Sequence, residues 1–166
     1  LNGFLDAAFG MPDRRFVLDA VLANPDPRHR REIALLLLES DVDLEIQLSH
    51  LTPINVLLQN PTLEADDLPV LRRLLEAGAN PGLGLGGAAI GRHPLVQLAD
   101  RDLDEATILS LADQLARRAG PGDLVAPVLA DGRSVLDYIA AGQFPHRRPR
   151  AGLLALITAV AHQGDA

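Results

Sequence analysis

The chain has 166 residues, 48% of them hydrophobic but only 3% aromatic, with a formal net charge of −7 at pH 7 and a sequence pI near 5.1. It is long enough for one domain with a substantial core, which must be built from Leu, Ala, Val and Ile, and that favours helix-on-helix packing over a β-sandwich. The acidity speaks against general nucleic-acid binding and for a partner with a basic surface, while the absence of Cys removes disulfides, thiolate metal sites and a Cys nucleophile and allows a reducing cytoplasm, the expected location.

Taken in chain order, Leu1 to Gly10 brings Phe4, Leu5, Ala8 and Phe9 close together, which predicts a short N-terminal helix within 1–12 that covers the first unit as a cap. Four units then succeed one another, over about 13–48, 49–89, 90–130 and 131–166, each a short apolar helix followed by a longer amphipathic one. Taking Phe16, Thr52, His93 and Ser134 as equivalent positions in the short helices gives spacings of 36, 41 and 41. Longer helices are expected over Arg28–Ser40, from Leu68, over Asp104–Gly120 and over Arg150–Gly164. The punctuation agrees with this layout. Pro53 and Pro94 sit at first-turn positions, Thr52, His93 and Ser134 at N-cap positions, Asp67 and Asp104 ahead of longer helices, and Gly78, Gly120 and Gly164 at their ends.

The last helix is the most apolar stretch, 151–161, too short to span a bilayer. Its Leu153, Leu154, Leu156, Ile157 and Val160 leave little of it polar, so it is expected to contact further chain, a second copy through self-association, or the partner. No signal peptide is visible, and the first residue is Leu1, not Met. All fifteen basic residues are Arg, a bias expected of a GC-rich bacterial genome.

Two motifs go further than periodicity. The second unit reads Thr52-Pro53-Ile54-Asn55 at its first helix and Leu74-Leu75-Glu76-Ala77-Gly78-Ala79-Asn80-Pro81 at the end of its second. The fourth keeps Asp131-Gly132-Arg133-Ser134-Val135-Leu136-Asp137-Tyr138, the third keeps His93-Pro94-Leu95, and the first keeps Leu35 to Leu38. These segments resemble the ankyrin repeat, with its Thr-Pro-Leu-His opening and Gly-Ala-Asp/Asn-Pro ending, over about 13–164. The resemblance implies an all-α solenoid of antiparallel helix pairs joined by turn fingers. The units exceed the usual length of roughly 33 residues, with extra residues at 59–67 and 120–130, so HEAT or armadillo geometry stands as the alternative.

In such stacks the partner lies on the finger tips and on the exposed positions of the first helices. Carried onto matching positions here, these are Arg15, Asn24, Leu51, Gln59, Asn60, Arg92, Gln97, Arg101, Arg133 and Tyr138. Truncating Arg101 or Tyr138 is accordingly expected to weaken capture without moving the melting temperature.

Other features carry less. The glycine-rich segment 81–91 follows a helix where a nucleotide loop should follow a strand, and it lacks a Gly-Lys-Ser/Thr ending. His29, His50, His93, His146 and His162 form no i, i+4 pair around a Glu, and neither Ser110 nor Ser134 lies in a nucleophile motif. No metal, cofactor or catalytic set is expected. Acidic residues gather at Glu39, Asp41, Asp43, Glu45, Glu64, Asp66, Asp67 and Glu76, as solvated surface or as a steering patch, and His146 to Arg150 forms a basic stretch. The expected function is stoichiometric binding of another protein, as an immunity or inhibitor protein or adaptor. The alternatives are a regulatory or scaffolding domain of a larger protein and, less favoured, an enzyme using the glycine-rich loop.

Overall fold

Among the described residues, first helices of 6 to 9 residues are each followed by a longer second helix of 9 to 15, with one extra five-residue helix before the last pair. The computed structural model describes residues 14–40, 42, 44, 52–81, 93–127, 131–145 and 150–164. The expected helix within 1–12, the segment 82–92 and the basic stretch 146–149 lie outside them. The described residues are all-helical and contain no strand. We number the α-helices α1 (Arg14–Leu22), α2 (Pro27–Leu37), α3 (Pro53–Gln59), α4 (Leu68–Glu76), α5 (Pro94–Ala99), α6 (Glu105–Ala119), α7 (Pro121–Val125), α8 (Val135–Ala141) and α9 (Ala151–Ala161), with 3-10 turns at Ala65–Asp67 and His162–Gly164.

Helices this short are marginal alone and are held by packing. The contacts form two rows. The first helices touch in succession, α1 to α3 to α5 to α8, and so do the second helices, α2 to α4 to α6 to α9. Within each pair α1 meets α2, α3 meets α4, α5 meets α6 and α8 meets α9. Between the rows lies one aliphatic core, with Leu18, Leu22, Ile54, Leu57, Leu58, Leu95, Leu98 and Val135 from the first helices against Ala34, Leu71, Leu74, Ile108, Leu111, Leu115, Leu153 and Ile157 from the second, all fully buried. Removing one such Leu to Ala costs about 2–5 kcal/mol.

The caps explain where the helices begin. Thr52, His93 and Ser134, 41 residues apart, are the N-caps of α3, α5 and α8. Thr52 Oγ1 accepts from Asn55 N at 3.2 Å and Ser134 Oγ from Asp137 N at 3.0 Å, and in both the third helical residue returns a bond to the cap. Phe16 does not share this role. Having no acceptor, it sits inside α1, which begins at Arg14, and is 67% exposed.

Two further expectations are corrected. Asp104 caps α6 through Thr107 N at 2.9 Å, but Asp67 makes no side-chain cap bond to α4, because a buried arginine takes its carboxylate. Of the three glycine stops, Gly78 alone closes a reciprocal C-cap. With φ at +98°, it donates to Leu75 O at 3.2 Å while Ala79 N donates to Leu74 O at 3.0 Å. Gly120 has φ 87° but an extended ψ of 165° and leads straight into α7, and Gly164 ends a 3-10 turn that continues α9.

The extra residues in the long units are core-filling pieces. In the stretch after α3, Leu63 is 4% exposed, and in the one after α6, Leu124 of α7 is fully buried, with α7 packed on α6, α8 and α9. The apolar α9 buries Leu153, Ile157 and Val160 and packs Leu154 and Leu156 partly against the core, and its exposed positions are Ala151, Ala155 and Ala159. No described helix is long and apolar enough to cross a membrane.

Candidate binding face

The turns that join first helices to second helices carry Asn24, Asn60 and Arg101, with Gln59 at the helix end before one of them, and these turns are bonded to one another. After α1 the chain turns at Asn24, whose Oδ1 accepts from Asp26 N at 2.9 Å. From the next turn, Asn60 Nδ2 reaches back and donates to Leu22 O at 2.9 Å and Asn24 O at 2.8 Å. From the third turn, Arg101 does the same one unit on, donating to Asn60 O at 2.6 Å and Gln59 O at 3.4 Å. Arg150 completes the series, donating to Arg101 O at 2.5 Å and, more weakly, to Ala99 O and Leu103 O, both at 3.4 Å. Each turn thus satisfies carbonyls that the preceding helix end leaves open.

The bodies of the first helices are bridged as well. Asn55 Nδ2 donates to Gln97 Oε1 at 3.1 Å, and Tyr138 Oη donates to Asp100 Oδ1 at 2.8 Å. Burial followed by that bond pushes the Tyr138 phenol up to about 12, so it stays a neutral donor. Arg133 lies over the Tyr138 ring, 5.2 Å from its centroid, and donates to Asp131 Oδ2 at 2.7 Å. Phe144 meets the same ring edge-on at 6.1 Å.

These contacts sort the expected site residues. Asn60 and Gln97 are 3% and 8% exposed and face inward. Arg101 is half-buried, and desolvation lowers its pKa from the usual arginine value. Asn24 and Tyr138 are half-buried with internal partners, so truncating Arg101 or Tyr138 disturbs the stack itself. Gln59 is exposed and Arg133 partly so. The Arg15 side chain, Leu51 and Arg92 lie outside the described residues. What reaches solvent is a strip running from Gln59 past Arg101 to Tyr138 and Arg133.

The largest fully buried polar side chain among the described residues is one that motif reading misses. Arg30 in α2 has no exposure, and all five of its N–H groups are bonded: Nε and Nη2 to Asp67 at 3.0 and 2.5 Å, Nη1 to Asn24 O and Thr62 Oγ1 at 2.7 and 2.9 Å, and Nη2 also to Thr62 O at 3.0 Å. The signal is present in the sequence, since Arg30 shares the buried stripe of α2 with Ala34 and Leu37. Arg150, at 4% exposure, likewise leaves the basic stretch for the interior.

The acidic patch is also partly consumed by internal pairing. Asp67 is buried, Glu64 and Asp66 flank Arg31 at 2.5 and 3.9 Å, and Glu76 lies 3.5 Å from Arg73. Asp41, Asp43 and Glu45 lie outside the described residues.

Chemically the strip offers hydrogen bonding, an aromatic ring and two half-buried guanidiniums, of which Arg101 is already bonded to the Gln59 and Asn60 carbonyls. His93 is 2% exposed, its Nδ1 accepts from Leu95 N at 3.2 Å, and its buried Nε2 has no partner among the described residues. Burial pulls its pKa down to about 4, so the ring is neutral at pH 7. Ser110 Oγ donates to Ala106 O at 2.9 Å, along its own helix. Among the described residues no group of three or more His, Cys, Asp or Glu side chains could hold a metal ion.

Among the described residues, fold and site together define paired, serially packed helices whose turns bond to one another. Comparison with family models, with curated proteins and with solved structures gives no match.

Proposed function

We propose that the chain is an ankyrin-like helical repeat that works without chemistry of its own, by stoichiometric binding of another protein along the turns and exposed positions of its first helices. The observation that carries this reading is the double row of helices, in which N-caps recur at Thr52, His93 and Ser134 and each turn bonds to the one before. Serial stacking of this kind yields an extended rigid surface suited to a macromolecular partner. Within that surface, Gln59, Arg133 and the Tyr138 ring are the groups available for contact, and Arg and Tyr are common interface anchors. Masking of a toxin or effector fits a small acidic binder; a scaffolding role within a longer protein uses the same surface.

The test is capture from native lysate by the immobilised chain, with bound proteins quantified by mass spectrometry. Gln59→Ala/Arg133→Ala is expected to lose at least about tenfold of the specific capture, equivalent to about 1.4 kcal/mol, at an unchanged melting temperature. Equal capture by the double variant contradicts the assignment of the face.

A further inference from the structure

On the second-helix row, away from the strip between Gln59 and Arg133, a groove of about 310 Å³ is lined by Arg72, Leu75 and Glu76 of α4 and by Gln114, Arg117 and Arg118 of α6. It carries three arginines against one glutamate, on a chain whose formal net charge is −7. Part of this charge is already answered. Arg117 Nε pairs with Asp113 at 2.7 Å along its own helix, and Glu76 lies 3.5 Å from Arg73. Arg72 and Arg118 have no ion-pair partner among the described residues, and both are exposed.

The negative end of the α6 dipole accounts for Arg118, which stands in the last turn beside Arg117. It does not account for Arg72, the central residue of α4. Two helices therefore each bring a guanidinium without an ion-pair partner among the described residues to one groove, and at Arg72 no helix end offsets the charge; like charges repel there and a carboxylate between them relieves the repulsion. Leu75, 6% exposed, gives the groove an apolar lining, and the Gln114 amide adds a neutral donor. Guanidinium forks match carboxylates in bidentate fashion.

We propose that this groove is a second binding site, which takes a carboxylate-bearing segment of an acidic partner protein. A peptide supplies both the carboxylates for Arg72 and Arg118 and an apolar side chain for Leu75. A nucleic-acid strand meets the same arginines with its phosphates but brings no aliphatic side chain for Leu75. The site is independent of the first-helix face and stands or falls separately.

The probe is a fluorescein-labelled peptide of alternating Glu and Leu, titrated with the full chain and followed by fluorescence anisotropy. A saturable rise is expected that weakens with added salt and weakens at least about tenfold in Arg72→Ala/Arg118→Ala. Arg72→Gln/Arg118→Gln, which keeps long side chains, should weaken it equally, and Arg28→Ala, at an arginine 80% exposed and paired with Glu32, should leave it unchanged. Melting curves establish that each variant is folded. The proposal is overturned by the absence of a saturable rise, by an equal loss in Arg28→Ala, or by a single-stranded DNA oligonucleotide that binds at Arg72 and Arg118 more tightly than the peptide.

Discussion

Arg30 and Asp67 show how a buried charge is tolerated: each of the five guanidinium N–H groups has an acceptor, and both side chains have no exposure. Removing one partner strands the other. Asp67→Ala is expected to lower stability by about 3–5 kcal/mol, read from the midpoint of urea unfolding, whereas Arg30→Met/Asp67→Leu should recover most of that loss. A double variant as unstable as the single one would refute this account. The amphipathic pattern of α2 places Arg30 on its apolar stripe, but no local rule pairs it with a residue 37 positions later. For that reason Asp67 reads as a helix cap in the sequence and is an ion-pair partner in the fold.

His93 gives the residue scale its pH dependence. Its folded pKa, about 4, lies below the ordinary 6.5, so the unfolded chain takes up a proton that the folded one refuses. Stability is therefore full above pH 6.5 and falls as the pH drops from 6.5 toward 4, by roughly 3 kcal/mol at the limit. His93→Thr, which restores the cap type found at Thr52, should flatten the unfolding free energy over that window; an unchanged slope would show that His93 is not its source.

At the scale of elements, the stop of α4 depends on one glycine. A side chain at φ +98° is strained although nothing lies within 4 Å of the added Cβ, so Gly78→Ala should cost about 1–2 kcal/mol. Gly122, inside α7 with ordinary φ and equally open space, should gain up to about 1 kcal/mol from the same change. Thermal melts of the two variants shifting in the same direction would contradict this assignment. The caps, the alternation of short and long helices and the 41-residue spacing were legible because each depends on neighbours within a turn. The roles of 59–67 and 120–130 were not, since only the packed core shows that Leu63 and Leu124 fill gaps between pairs.

The whole molecule is organised by bonds between turns, and this is where the sequence misleads most. Asn60, Gln97 and Arg101 have the polarity and position expected of a binding surface, yet their donors and acceptors are met by the adjacent unit. Surface and seam look alike in a repeat sequence, because both are polar and both recur once per unit. Asn60 and Arg101 belong to one hydrogen-bonded series, so the effects of truncating both should not add.

Residues that hold the stack are distinct from residues that face a partner, and one paired measurement tests the division: melting temperature and lysate capture of Arg101→Ala and Arg133→Ala side by side. Arg101→Ala leaves the Asn60 and Gln59 carbonyls without their cation, a loss of about 1.5–3 kcal/mol, and should melt roughly 4–8 °C lower. Arg133→Ala removes an exposed pair with Asp131, should melt within about 1 °C of the parent, and should lose capture. An unshifted melt for Arg101→Ala, together with full capture by Arg133→Ala, would contradict the account.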